Sequence, residues 1–87
     1  MQDDTIITRY ITRYIEQNPH YPSLDAARVK EYGVSVWSLI AHLRAVGGDV
    51  ARVAADYALP CEAVEAAIAY YRRHKNLIDV RIAANAA

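Results

Sequence analysis

The side chains with the greatest chemical reactivity in this 87-residue sequence are one cysteine, Cys61, and three histidines, His20, His42 and His74. Cys61 directly follows Pro60 and falls in the first turn of a predicted helix, where the helix dipole can activate a thiol. No histidine or carboxylate is spaced along the chain to serve as its general base. The histidines lie on separate predicted elements and lack metal-ligand spacing. We therefore expect no enzymatic activity, no metal site and no cofactor.

The strongest local run of charge is R-R-H-K, from Arg72 to Lys75. Its cations could contact DNA phosphates, which would make binding depend on salt. Cations are also favourable at the C-terminus of a helix, and Lys75 lies four residues before Asp79, as in a helical ion pair. We favour this structural interpretation, because a helix-turn-helix protein meets bases with the first residues of its second helix. Here those residues include Glu62 and Glu65, which would repel phosphate.

A second basic set lies nearer the N-terminus, on two candidate strands. Its members are Arg9, Arg13, Arg28 and Lys30. If the strands pair in a dimer, these side chains form one basic ribbon, and a two-stranded ribbon fits the major groove of DNA. The simpler interpretation, that alternate strand positions face solvent, is favoured. Together with the first run, the candidate DNA contacts are Arg9, Arg13, Arg28, Lys30, Arg72 and Arg73.

Aromatic and apolar side chains provide the candidate dimer or partner contacts. Trp37, Tyr70 and Tyr71 are of types that dominate interface energetics, but at helical spacing they are more typical of a core or a dimer contact. Near the C-terminus, apolar residues either extend the last helix or leave it and dock against a partner. These residues are Leu77, Ile78, Val80 and Ile82.

Two predicted helices after Asp49 position most of these residues. The first has apolar residues at i, i+3, i+4 and i+7 from Val50, and the second repeats the spacing from Val64. Asp49 is a suitable N-cap, while Pro60 ends the first helix and suits the start of the second. A further helix precedes them, with Ser35 as its cap. The predicted helices cover residues 35–46, 49–58 and 60–76.

The N-terminal part of the chain is less clear. Ile7 to Ile15 reads I-T-R-Y-I-T-R-Y-I, whose Ile and Tyr positions fit one face of a helix. However, Ile, Thr and Tyr favour strands and the segment also alternates as a strand does, so periodicity leaves both open. Ala26 to Lys30 could form a second strand that pairs with the first. Residues 1–5 and 83–87 are predicted to be disordered.

The chain is balanced in charge, with ten basic and ten acidic residues. No global field draws it to nucleic acid or to an anionic membrane, so a DNA contact needs a local basic patch. A lone cysteine and an acidic N-terminus predict a cytoplasmic protein. No apolar run approaches the roughly 20 residues that span a bilayer, so we expect no membrane partner. A single domain of this size has a small core, and we expect a homodimer or a protein partner.

The segment that begins at Val50 matches the helix-turn-helix pattern of DNA-binding proteins. That pattern requires Ala at its fifth position and apolar residues at the fourth, eighth, tenth, fifteenth and eighteenth. The ninth position, usually Gly, is Ala58, which adopts a positive φ less readily. The matching residues are Val53, Ala54, Tyr57, Leu59, Val64 and Ala67.

Between about Tyr14 and Ile82 the chain resembles the domain-of-unknown-function 433 family. The similar segments are A-R-V, G-V-S-V-W-S-L-I, V-A-x-D-Y-A-L and A-V-E-A-A-I-A-Y-Y-R-R-H-K-x-x-I-D. The resemblance implies a mainly α fold, in which a short N-terminal β element precedes a homeodomain-like three-helix bundle. It also implies that the strands of this element lie at Ile11 to Ile15 and at Ala27 to Val29. Arg28 matches the family's arginine, although A-A-R-V replaces a glycine-rich G-T-R-I-type turn and K-E-Y-G follows as an insertion.

Members of that family are often regarded as antitoxins encoded beside a PIN-like nuclease toxin. The resemblance therefore implies a dimeric antitoxin that binds and neutralises such a toxin through its apolar end, and that could also bind operator DNA. Two alternatives stay open. One is a DNA-binding transcriptional regulator without a toxin partner, and the other is a purely structural dimeric interaction module.

Overall fold

The computed structural model describes the backbone of residues 2–86 and the side chains of residues 4–86. This part of the chain is mainly helical and includes one small two-stranded antiparallel sheet. None of its helices has the length and apolar character that a membrane crossing requires. The elements are α1 (Gln2–Tyr14), β1 (Ile15–Glu16), a 3-10 helix (Leu24–Ala26), β2 (Arg28–Val29), α2 (Val36–Ala45), α3 (Val50–Tyr57), α4 (Cys61–Arg73) and α5 (Lys75–Ala86).

Helix α4 lies at the centre of the fold. Its inward face carries small apolar side chains that are at most 1% exposed, namely Ala63, Val64, Ala66 and Ala67. Helices α1, α2 and α3 and strand β1 all pack against α4. Because the side chains at a contact set the distance between two helices, small residues let several neighbours approach α4 closely. A short chain can therefore surround one helix on several sides.

The turn between α3 and α4 forms as the sequence predicts. The Asp49 carboxylate accepts a hydrogen bond from the backbone N–H of Arg52 at 3.0 Å and caps α3. Ala58 ends α3 with a left-handed φ of 57°, at the position where the helix-turn-helix pattern usually has glycine. Tyr57 is partly exposed, and the other side chains of the pattern are buried: Val53, Ala54, Leu59, Val64 and Ala67.

The three helices predicted over residues 35–46, 49–58 and 60–76 correspond to α2, α3 and α4. The largest difference is at the end of α4, where His74 leaves the helix with φ −129° and α5 begins at the next residue. The backbone N–H of His74 still bonds to the carbonyl oxygens of Tyr70 and Tyr71. The predicted mainly helical fold class with a short β element is confirmed.

The predicted strand over Ile11 to Ile15 is wrong, because α1 runs through Ile11 and ends just before Ile15. Only Ile15 and Glu16 form β1, where they pair with Val29 and Arg28. Ile11 and Ile15 are 6% and 5% exposed and belong to the core. The face of α1 that carries Ile11 packs on α4, and this packing outweighs the strand preference of the residue types. The second predicted strand, within residues 26–30, is present as β2.

Both ends that were predicted to be disordered are helical. Residues 2–5 lie in α1 and residues 83–86 lie in α5, while the first and last residues are outside the described range. At the N-terminal end, the Arg73 guanidinium donates to the hydroxyl of Thr8 at 2.7 Å and to the backbone oxygen of Asp4 at 3.2 Å. At the C-terminal end, three of the four residues are alanine, which favours helix more than any other residue.

Helix α5 packs on the rest of the fold, against α2, α4 and the 3-10 helix. Ile78 is fully buried and Ile82 packs partly buried against the core. Leu77 and Val80 remain 48% and 68% exposed. The four large apolar residues near the C-terminus therefore lie on a helix of their own, and only two of them, Leu77 and Val80, face solvent.

Replacing the buried side chain Ile78→Ala should lower the free energy of unfolding by about 2–4 kcal/mol, because it leaves a cavity between α5 and the core. Urea unfolding at neutral pH measures the change. Val80→Ala on the same helix is the matched control and should change the free energy by less than about 0.5 kcal/mol. Equal effects of the two substitutions would contradict the packing of α5.

Candidate functional site

Five of the ten Lys and Arg side chains form ion pairs with carboxylates of the described residues. The pairs are Arg28–Glu16, Arg44–Asp79, Arg52–Asp56, Lys75–Asp79 and Arg81–Asp25. Among the side chains of residues 4–86, the cations with no carboxylate at ion-pair distance are Arg9, Arg13, Lys30, Arg72 and Arg73. These five lie on α1, on α4 and in the turn after β2. Arg73 donates hydrogen bonds to α1, so among the described side chains the cations that the fold leaves available are Arg9, Arg13, Lys30 and Arg72.

Asp79 pairs with two of these cations, Arg44 and Lys75. Its carboxylate accepts hydrogen bonds from the Lys75 ammonium at 2.7 Å, the Tyr71 hydroxyl at 2.7 Å and the Arg44 guanidinium. These bonds, with that of Lys75 the largest contribution, hold the pKa of Asp79 well below its usual range. The network joins α2, α4 and α5, so its cations stabilise the fold and are not free to contact a partner.

Helix α1 packs antiparallel to α4, as hydrogen bonds at two points show. Thr8 accepts from Arg73 in the last turn of α4, and the Tyr10 hydroxyl donates to the backbone oxygen of Glu62 in the first turn at 2.9 Å. Burial, reinforced by the nearby Glu65 carboxylate, raises the pKa of Tyr10 to about 12. The hydroxyl therefore stays protonated at neutral pH and fixes α1 on α4.

Two of the unpaired cations, Arg13 from α1 and Lys30 from the turn after β2, line a cleft of about 210 Å³. The Arg13 guanidinium carbon lies 5.5 Å from the centre of the Tyr14 ring. Pro60 also lines the cleft and precedes α4, so the positive end of the α4 dipole is close by. Glu31 is the one acidic residue in the lining. The cleft therefore has a net positive lining that suits an anion.

A tight turn over residues 30–33 places Lys30 and Tyr32 beside this cleft. Glu31 has a φ of 70°, which for a residue with a side chain costs on the order of 1 kcal/mol or more. Gly33, with φ 72°, closes the turn through its N–H, which bonds to the backbone oxygen of Val29 at 2.9 Å. Tyr32 is 49% exposed and was not among the predicted contacts. Gly33, which directly follows Tyr32, is the sequence signal that could have indicated an exposed turn at this position.

The predicted basic ribbon on two strands is absent from residues 2–86. Arg9 and Arg13 lie on α1, where their four-residue spacing puts both on one helical face. The Arg28 Nε donates to the Glu16 carboxylate at 2.8 Å across β1 and β2, so its charge is already paired. Lys30 lies in the turn that follows β2. Of these four cations, Arg28 is therefore the one that the fold uses internally.

Arg72 and Arg73 lie at the opposite end of α4, about 18 Å from its start for a helix of 13 residues. Arg73 donates to neutral oxygens of α1, whereas Arg72 is exposed on the outer surface. Their position in the last turn fits the predicted stabilisation of a helix C-terminus by cations. The predicted helical ion pair between Lys75 and Asp79 is also present, at 2.7 Å.

The aromatic candidates make contacts within the chain. The Arg81 guanidinium carbon lies 5.5 Å from the centre of the Trp37 ring. The Tyr70 hydroxyl donates to the backbone oxygen of Leu24 at 2.6 Å, and burial raises the pKa of Tyr70. Tyr71 belongs to the Asp79 network. All three aromatic rings are partly buried, and these contacts favour a structural role over an open binding cage.

The residues with catalytic or metal-binding chemistry lie apart from one another. Cys61 is exposed at the start of α4. The Nε2 atom of His42 lies 2.7 Å from the Asp56 carboxylate, in a contact that links α2 to α3. His74 lies between α4 and α5, and its ring packs against the ring of Tyr70. Across the described residues, no three His, Cys, Asp or Glu side chains are grouped as metal ligands.

No family model, no curated protein and no solved structure matches this chain. The resemblance seen in the sequence therefore stays a prediction.

Acidic pH should destabilise the fold. The pKa of Asp79 is lowered chiefly by Lys75 and that of Asp25 chiefly by Ser23. A carboxyl group with a lowered folded-state pKa stabilises the fold at pH values above its unfolded-state pKa of about 4. This contribution is lost as the pH falls towards the folded-state pKa. Urea unfolding between about pH 7 and about pH 3 measures the loss. Asp79→Asn should make the decline shallower, and an unchanged decline in that variant would contradict the assignment.

Proposed function

We propose that this protein is a small helix-turn-helix protein of the antitoxin type that binds nucleic acid through Arg9, Arg13 and Lys30. The observation that carries the proposal is the division of the cations. Those on α2, α3 and α5 are paired within the chain, whereas those on α1 and in the turn after β2 have no ion pair among the side chains of residues 4–86. The phosphates of a nucleic acid are natural partners for such cations, since they accept charge-assisted hydrogen bonds from Arg and Lys.

The helix-turn-helix assignment is supported by the buried apolar pattern of α3 and α4 and by the left-handed Ala58 between them. The proposal includes a homeodomain-like arrangement of α2, α3 and α4 after the short β element. That arrangement is what the resemblance to the domain-of-unknown-function 433 family implies.

In the proposed complex, nucleic acid contacts the cleft of Arg13 and Lys30 rather than the outer face of α4. Glu62 and Glu65 are exposed on α4 and repel phosphate. Arg13 and Lys30 each contact a phosphate at the cleft, where the dipole of α4 adds to the attraction. Tyr32 offers an exposed side chain in the same cleft, whose hydroxyl can donate a hydrogen bond to a phosphate oxygen. Binding of this kind is driven by counterion release and weakens as salt is added.

The double substitution Arg13→Ala/Lys30→Ala should weaken binding to a mixed-sequence DNA duplex at low salt by about tenfold or more. It should also reduce the slope of log K against log salt by about 2, since each phosphate contact contributes about 0.9. Fluorescence anisotropy over a salt series measures both quantities. Arg52→Ala is the matched control, because it removes an exposed cation that is paired with Asp56. No binding by the wild type, or an equal loss in the control, would count against the proposal.

The exposed apolar face of α5 favours a second activity, the neutralisation of a PIN-like nuclease toxin. Leu77 and Val80 are three residues apart and share one face of the helix. Ile78 and Ile82 belong to or pack on the core and are not available to a partner. We therefore propose that Leu77 and Val80, rather than the whole apolar end, contact the toxin.

Co-expression with the adjacent reading frame tests this second activity. The wild type should restore growth and co-purify with the toxin, and Leu77→Asp/Val80→Asp should do neither, because an unpaired charge is costly in an apolar interface. Tyr21→Asp is the control, since it changes an exposed large apolar residue outside α5. A wild type that neither co-purifies nor restores growth removes the antitoxin activity and leaves a DNA-binding regulator. If DNA binding is absent too, only a structural interaction module remains.

A further inference from the structure

The outward face of α4 carries an acid, two apolar residues and a base in a regular series. Ile68, Ala69 and Arg72 follow Glu65 by three, four and seven residues and so share its face of the helix. Glu65 and Arg72 are exposed, while Ile68 and Ala69 are partly buried. The two charges lie about 10 Å apart along the axis, beyond the three- or four-residue spacing at which helical side chains pair. They therefore point outward without neutralising each other.

Two shallow clefts run along the sides of this face. The cleft against α1 has Ile7 in its lining, and the cleft against α3 has Val50. Glu65 and Arg72 line both clefts. Ile7 is 39% exposed, which adds apolar surface beside the series. A ridge with a groove on each side has the shape that a second helix fits when ridges pack into grooves.

The same face is complementary to itself under a two-fold rotation. In an antiparallel pair of α4 helices centred between Ile68 and Ala69, Glu65 of one copy meets Arg72 of the other, and symmetry forms the reciprocal pair. The apolar residues of both copies meet at the centre. A parallel pair would instead oppose Glu65 to Glu65 and Arg72 to Arg72, which is repulsive. We propose that this protein forms an antiparallel two-fold dimer through the outer face of α4.

Within the described part of one copy, Glu65 and Arg72 lack an ion pair, which a second copy would supply. Over the described side chains, Arg72 has no carboxylate and Glu65 has no cation at ion-pair distance. Glu65 accepts only a long hydrogen bond, 3.3 Å, from the hydroxyl of Tyr10. A nucleic acid would satisfy Arg72 but repel Glu65, whereas a second copy satisfies both. The interface uses none of Arg9, Arg13 and Lys30, so it stands or falls independently of nucleic-acid binding.

A charge exchange followed by sedimentation equilibrium tests the dimer. Glu65→Arg and Arg72→Glu each place like charges at both ends of the interface and should weaken dimerisation by about tenfold or more. An equimolar mixture of the two variants should restore a dimer, because every 65–72 contact in the mixed pair again joins opposite charges. Circular dichroism establishes that each variant is folded. Arg52→Glu, an exposed change on α3, is the control and should dimerise as the wild type does.

Crosslinking checks the antiparallel orientation. In the double variant Cys61→Ser/Ala69→Cys, the new thiols lie at the centre of the interface and should oxidise readily to a disulfide-linked dimer. In the wild type, the two Cys61 residues lie about 22 Å apart along the axis, beyond the reach of a disulfide, and should stay reduced. A parallel pair brings the two Cys61 residues together instead.

Three results would overturn the proposal. The first is a wild type that remains monomeric at all concentrations. The second is a dimer that survives both single charge reversals, or a mixture of the two variants that fails to associate. The third is oxidation that links Cys61 of the wild type more readily than the cysteine introduced at position 69.

Discussion

The small apolar face of α4 is the contact on which the rest of the structure depends. Ala63, Ala66 and Ala67 are fully buried, and α1, α2 and α3 all pack on this helix. Larger side chains at these positions would force at least one neighbour away, because well-packed cores tolerate added volume poorly. Since the chain itself covers the inner face of α4, the outer face and the first end of the helix are left for partners. The inferred dimer uses the outer face, and the inferred nucleic-acid contact lies beside the first end.

A net charge of zero conceals how unevenly the charge of this chain is used. The carboxylates of Asp25, Asp56 and Asp79 each bind at least one arginine or lysine and tie distant helices or successive turns together. No comparable pair involves the cations of α1, among the side chains that the structure describes. Composition alone excludes a strong global field, and only the folded arrangement distinguishes structural cations from available ones. The available charge is local, so its effect on binding falls off within about a Debye length.

The helices that carry strong local signals could be predicted from the sequence. Asp49 caps α3, Pro60 separates α3 from α4, and Ala58 takes the left-handed turn conformation that the helix-turn-helix spacing requires. The segment from Ile7 to Ile15 could not be assigned in this way, because its residues satisfy both periods and the choice depends on packing against α4, far along the chain. The cleft of Arg13 and Lys30 is likewise a tertiary feature. It exists because α1 is a helix that brings Arg13 to the turn after β2. When the same residues were predicted to form strands, the expected feature was a basic ribbon instead.

Nuclear magnetic resonance of isotope-labelled protein titrated with a mixed-sequence duplex at low salt tests most directly whether the unpaired cations form the recognition surface. The largest amide shift changes should occur at Arg9, Arg13, Lys30 and Tyr32, and the signal of Arg52 on α3 should stay in place. Changes centred on α2 or α3, or a spectrum that the duplex leaves unaltered, would contradict the proposed division between structural and available charge.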